Sequence, residues 1–243
     1  MRYALVSRTE GSGLRDRAVQ EELWATLAAT MAAPQWADDE RTQDDVMLGL
    51  RRLREGVLAS GLADEFACTV YEASLRAAYR CRRWDDVLRC EGTLVDLLLL
   101  PEKCGVRKSD VWALKIVRLA VSVQETNDGA TRSDMAMCLY KTPLDVRHSA
   151  TFRHAQVLAT TLSSAGATAL LVAHAHDNLL EPFLPRLRSL ALSQLRRSYR
   201  RLPIDTFRRF LALPAAADIA PYLVPLKPEP GVQDPTIFFY PPR

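Results

Sequence analysis

Glycine is scarce in this chain, 10 of 243 residues, and none of it is gathered into Gly-x-Gly-x-x-Gly or a Walker-type Gly-Lys-Ser/Thr. Loops whose backbone N–H groups cradle phosphates are therefore missing, which argues against nucleotide binding. No uncharged apolar run reaches the 18 residues of a membrane-spanning helix, and no membrane partner is expected. The five cysteines, Cys68, Cys81, Cys90, Cys104 and Cys138, are odd in number, irregularly spaced and without a Cys-x-x-Cys pair. No secretory signal peptide precedes them, so a reducing compartment and small buried or half-buried helix thiols are expected. The N-terminal Met1–Arg17 carries Glu10 and Asp16 among its Arg and Ser, a poor organelle-targeting pattern.

Catalytic and metal-ligating patterns are equally thin. His174 and His176 are two apart and His148 and His154 six apart, spacings that do not converge on one ion from a helix. Solvated or helix-end histidines account for them, near the negative end of the helix dipole for His174 and His176. The carboxylate pairs Asp38–Asp39, Asp44–Asp45 and Asp85–Asp86 fall at a linker or at helix starts, where side-chain oxygens cap free N–H groups. No Gly-x-Ser-x-Gly elbow occurs and no Cys has a His in local reach. The expectation is a protein with no catalytic residues, no metal and no cofactor.

What is abundant is helix-forming material. Apolar residues make up 48% and charged residues 25%, with Leu, Ala and Arg filling long stretches, the composition of packed helices. A chain of this length buries about 70–75% of its unfolded surface and needs no disulfide staples. Ala18, Leu23, Leu27 and Met31 mark an opening helix that ends before Pro34, and the polar Asp38–Asp45 reads as a linker. A second helix is expected from about Asp44 to Ser60, ended by Gly61. Asp64 can cap a third, with Phe66, Val70, Ala73 and Ala77 on one stripe, and Trp84, Val87, Leu94 and Leu98 form a fourth. Only Cys81–Arg83 separate these two, so they form an antiparallel hairpin with Tyr71, Leu75, Leu94 and Leu98 between them. Further helices are expected at Ser109–Gln124, Asp145–Leu162 and Ala165–His176. No strict 34-residue consensus recurs, so the array is degenerate.

After Pro185 the texture changes. Leu187, Leu190, Leu195, Tyr199 and Leu202 make one helical stripe, Leu202–Pro203 breaks it, and Ile204–Leu213 starts another helix. A short helical segment, Ala217–Leu223, and a Pro-rich loop lead to Thr236–Tyr240, whose Ile237, Phe238, Phe239 and Tyr240 are strand residues. Helix, turn, helix, short helix and terminal strand is the order of a winged-helix module, with a second strand expected near Leu223–Leu226. From Arg186 onward 10 basic residues face four acidic ones, while the rest of the chain carries 22 basic and 25 acidic. Eight arginines, Arg186, Arg188, Arg196, Arg197, Arg200, Arg201, Arg208 and Arg209, fall within 24 residues. On a continuous helix, residues 196, 197, 200 and 201 share one face that can track phosphates. Nucleic acid, an acidic protein partner and plain solvation are all compatible with that face.

Two segments carry a family resemblance. The first is Leu50-Arg51-Arg52-Leu53-Arg54-Glu55-Gly56-Val57-Leu58, then Glu65-Phe66, Val70-Tyr71-Glu72-Ala73 and Cys90–Leu98. The second is Arg186-x-Arg188, Ala191-Leu192, Tyr199, Leu202-Pro203, Phe207 and Leu211. Order and spacing are similar to the helical region of Sac/GANP proteins and to its passage into a winged helix, over roughly residues 46–213. The resemblance implies the PCI superfamily: an all-α, degenerate helical-hairpin (TPR-like) array capped by a C-terminal winged helix with a small β element. The corresponding division is an N-terminal helix and linker over 1–43, the array over 44–185 and the winged-helix part over 186–243. It further implies a non-catalytic scaffold of messenger RNA export or transcription-coupled complexes, nuclear, with cytoplasmic as the alternative. Such a subunit pairs with a second PCI protein and a small acidic Sem/Dss-type peptide, and here offers its Arg-rich face to RNA or DNA. Ile237, Phe238, Phe239 and Tyr240 are the expected partner-binding residues. The alternative is a protein-binding PCI subunit of a proteasome-lid, signalosome or translation-initiation assembly.

Overall fold

The computed structural model describes residues 13–61, 63–98, 108–222 and 236–238. The described chain is mostly helical, and it forms two compact units, residues 1–111 and 112–243, with the boundary in the first turn of α5.

In the first unit, α1 (Arg17–Ala32), α2 (Glu40–Ser60), α3 (Glu65–Arg80) and α4 (Trp84–Leu98) pack each against the next. Their ends follow from local chemistry. Asp16, Asp39 and Asp64 accept hydrogen bonds from the N–H groups of Ala18, Thr42 and Ala67, and Gly61 adopts φ +66° to stop α2. Because Asp39 caps α2, the helix begins at Glu40, and the linker expected at Asp38–Asp45 is largely helical. Arg82, at φ +58°, reverses the chain between α3 and α4 while the Arg83 N–H bonds the Ala78 carbonyl, the αL closure that a three-residue hairpin turn needs. Tyr71, Leu75 and Leu94 are buried in this hairpin. The Leu98 side chain lies outside the described residues.

Several buried polar groups inside this unit are paired, although Gln20 Oε1 and Arg52 Nε find no hydrogen-bond partner among the described residues. The Tyr79 hydroxyl donates to buried Glu91 at 2.7 Å. Arg54 on α2 donates to Asp86 at 2.8 Å and to the Cys90 sulfur, both on α4. Asp44 pairs with Arg83. Asp44 and Asp86, expected as caps, are each paired with an arginine, Arg83 and Arg54 respectively. Cys68 is engaged in a disulfide, which the reading of all five cysteines as isolated thiols did not anticipate. Cys81, Cys90 and Cys138 are free thiols.

The second unit contains α5 (Lys108–Thr126), α6 (Gly129–Lys141), α7 (Leu144–Arg147), α8 (Ala150–His174), α9 (Leu184–Ser198), β1 (Arg201–Pro203), α10 (Ile204–Phe210) and β2 (Thr236–Phe238). Helix α6 has no counterpart among the expected elements. Its only buried residue is Cys138, so it carries almost no apolar stripe to read.

Helix α8 is interrupted at Gly166, whose φ +83° and ψ 176° are not helical. A straight helix would hold His154 and His174 about 30 Å apart at 1.5 Å per residue. Their rings are 6.3 Å apart, so the chain folds back at Gly166 and residues 150–165 and 167–174 are two legs of a tight hairpin. The helix expected at Ala165–His176 corresponds to the second leg, and the one expected at Asp145–Leu162 is divided between α7 and the first leg, because Ser149 caps a new helix at Ala150. By length and composition Ala150–His174 is the one helix among the described residues able to cross a membrane, but a reversal at its middle leaves neither leg with the roughly 20 residues a span requires.

Strands β1 and β2 pair antiparallel, Arg201 opposite Phe238, Leu202 opposite Ile237 and Pro203 opposite Thr236. Leu202 and Ile237 both face the core. This corrects two expectations. The terminal strand pairs with Arg201–Pro203, where a helix was expected, and α9 stops at Ser198 instead of running to Leu202; the second strand expected near Leu223–Leu226 lies outside the described residues. A residue before proline is pushed out of the α region toward extended backbone, and in the strand Leu202 reaches the interior by period-two alternation. Leu195 and Leu202 are buried either way, so burial alone did not separate the two readings.

Candidate functional site

Helix α9 starts with Pro185 in its first turn and buries Leu187, Ala191 and Leu195, a spacing of four that defines its inner face. The arginines on and after it divide by what they touch. Arg186 grips Glu125 of α5 through Nε at 2.7 Å and a second bond from Nη2, the bidentate geometry of a strong charge pair. Arg188 donates from Nε and Nη2 to the Leu211 and Ala212 carbonyls, each at 3.1 Å. Those acceptors lie at the end of α10, where a cation satisfies orphan carbonyls. Both residues hold the fold together.

Arg196 and Arg197 occupy the last turn of α9, but Arg200 and Arg201 lie beyond it, Arg201 in β1 on the strand face opposite Leu202. The expected single helix face of four arginines is therefore not formed. Instead the four are exposed around a corner where helix passes into strand. Among the described residues, Arg197, Arg200 and Arg201 form no ion pair. Arg208 is half-buried, its Nε without a hydrogen-bond partner among the described residues. Arg209 is exposed, its guanidinium 5.5 Å from the Phe210 ring centroid.

Tyr199, placed on the core stripe of α9 by periodicity, is 41% exposed. Its ring meets Phe210 at 6.2 Å with a 38° tilt. The corner thus joins an aromatic pair to several guanidinium groups, a combination seen only when α9 and α10 are brought together in space. Of the four expected partner-binding residues, Ile237 is a core residue under Leu202, and Phe238 lies in β2 opposite Arg201. Phe239 and Tyr240 lie outside the described residues.

A cleft of about 590 Å³ opens beside this corner. Leu171, His174, His176 and Asp177 from the end of α8 line one side, and Arg209, Leu213 and Pro214 the other. Asp177 accepts the Leu179 N–H at 2.9 Å and also meets His154 Nε2. His154 and Asp177 therefore tie the first leg of the α8 hairpin to the turn that follows the second, a pairing that linear spacing conceals. Among the described residues no Ser, Thr, Cys or Lys lines the cleft. Among the described residues no group of three or more His, Cys, Asp or Glu side chains is placed to hold a metal ion.

No protein-family model matches this chain, and no curated protein matches it.

Proposed function

We propose that the chain is a non-catalytic scaffold subunit of PCI type, resembling Sac/GANP proteins, whose C-terminal unit is a winged helix offering its arginine corner to nucleic acid. One observation carries the reading: α9, β1, α10 and the 3-10 turn Ala220–Tyr222 precede β2 in the chain, and β2 returns to pair with β1. That order of helix, strand, helix, short helix and returning strand is the order of a winged helix, and the antiparallel closure supplies its small sheet. In this proposal the hairpin of α3 and α4 and the reversal of α8 are units of the degenerate array, and the partners are a second PCI protein and a small acidic Sem/Dss-type peptide in a nuclear complex. Arg197, Arg200 and Arg201 supply the phosphate-facing charge.

The exposed apolar side chains Met137, Tyr140 and Leu144, 50%, 79% and 69% accessible, favour a second reading. A patch of this kind suits a protein partner, as in a subunit of a proteasome-lid, signalosome or translation-initiation assembly that binds no nucleic acid.

Retrieval of the tagged full chain from its own cells, with and without nuclease, followed by mass spectrometry, tests both. A PCI partner with an acidic peptide, plus nucleic acid released by nuclease or salt, is the expected result. A PCI partner that never carries nucleic acid supports the second reading, and the absence of any PCI partner overturns the scaffold.

A further inference from the structure

Tyr199 and its surroundings narrow the nucleic acid to one class. The backbone leaves α9 after Ser198 and turns extended at Tyr199, φ −127° and ψ 137°. This throws the ring onto Phe210 on one side while leaving it 41% exposed. Arg197 precedes it by two residues, Arg200 and Arg201 follow it, all three exposed, and Arg209 reaches the same aromatic pair from α10. A lone exposed tyrosine calls for no explanation. An exposed tyrosine flanked in the chain by exposed arginines that form no ion pair among the described residues combines the two components of single-strand recognition, a π platform for a base and cations for the backbone.

The geometry also disfavours a duplex. A groove-reading helix needs its basic residues along one face, whereas here the helix stops at Ser198 and the remaining arginines pass into β1. Bases within a duplex are already stacked on one another and have no face to give to a surface ring.

We infer that the arginine corner binds single-stranded nucleic acid, an unpaired base stacking on Tyr199 while Arg197, Arg200 and Arg201 contact the phosphates. The inference rests on the nucleic-acid reading proposed above and adds the strandedness and the residue that selects it.

Fluorescence anisotropy of the full-length protein with a labelled oligouridylate, an RNA duplex and an oligoglutamate peptide tests it. Oligouridylate should bind more tightly than the duplex. Tyr199→Ala should weaken that binding by roughly 5- to 150-fold, the equivalent of about 1–3 kcal/mol for one stacked base, without changing the slope of log K against log salt. Tyr199→Phe should retain binding. Tyr199→Leu, which keeps apolar cover on Phe210 but has no π face, should behave like Tyr199→Ala, and circular dichroism melts will show whether each variant is folded. Replacing Arg197, Arg200 and Arg201 with Ala should flatten the salt slope by roughly 2, at about 0.7 per phosphate on a single strand. Salt-dependent binding that folded Tyr199→Ala or Tyr199→Leu leaves within about twofold of wild type, or that treats duplex and single strand alike, overturns the stacking inference alone. No salt-dependent binding to either nucleic acid, or binding of oligoglutamate in their place, overturns the underlying reading and assigns the corner to an acidic protein.

Discussion

Gly166→Ala is the sharpest test of how the second unit is built. At φ +83° and ψ 176° the backbone occupies a region open essentially to glycine alone, so a side chain there costs about 1–3 kcal/mol. The new Cβ would also lie 2.5 Å from Nε2 and 3.0 Å from Oε1 of Gln194 on α9. That amide ends a flexible side chain and will swing aside, so overlap is the smaller part of the cost. What is lost is the position of Gln194 Oε1, which accepts both the N–H and the hydroxyl of Thr168 at 3.2 Å and so caps the second leg of α8. Two such bonds contribute together about 1–2 kcal/mol. Alanine reduces the freedom of the unfolded chain, an offset of about 0.4–1 kcal/mol. The net loss should be about 2–4 kcal/mol, on the order of 5–15 °C in Tm for a chain of this size. Urea melts followed by circular dichroism measure it. Gln194→Ala alone should cost about 1–2 kcal/mol. In the double variant those bonds can be lost only once, so its cost should fall short of the sum by a similar amount. A loss below about 0.5 kcal/mol for Gly166→Ala, or strict additivity in the double variant, would refute the hairpin geometry.

Two further outcomes are expected. Leu94 is fully buried between α3 and α4, and Leu94→Ala should cost about 2–5 kcal/mol in denaturant melts; a loss below about 0.5 kcal/mol would mean that the hairpin faces are misplaced. Burial pushes the Cys90 thiol up to about 11, with the Arg54 charge opposing it. The folded chain therefore keeps this proton after the unfolded chain, with a thiol near 8.5–9, has released it. Stability is unaffected below that range and falls by about 2–3 kcal/mol as pH rises to 11. Comparing wild type with Cys90→Ala in urea melts across that window isolates the effect, and identical pH profiles would show that the thiol is not held in this way.

Much of the fold was legible because its determinants are local. The Asp64 cap, the Gly61 stop, the three-residue turn at Cys81–Arg83 and the apolar stripes of α3 and α4 each act within a turn or two of helix. The presence of helix on both sides of Gly166 is legible from periodicity, whereas the break at Ser149 that separates α7 from α8 is not. Helix α6 escaped because it buries only Cys138, and the start of α2 was placed late because its first turn is polar and is set by Asp39.

The candidate site was legible only as a composition. The crowding of eight arginines in the C-terminal region, the interruption of a helix at Leu202–Pro203 and the strand character of Ile237 are readable from the residues alone, since charge, proline sterics and β propensity are properties of the residues themselves. What each arginine does depends on partners that folding brings to it from far along the chain. Arg186 and Arg188 are spent on Glu125 and on the end of α10, whereas Arg197, Arg200 and Arg201, which flank Tyr199 in the chain, are exposed. The contacts that sort them span 61 residues to Glu125 and 23 to Leu211. Helical periodicity reports neighbours three or four residues apart, and no such pattern carries information about a partner brought near by a chain reversal or a strand pairing.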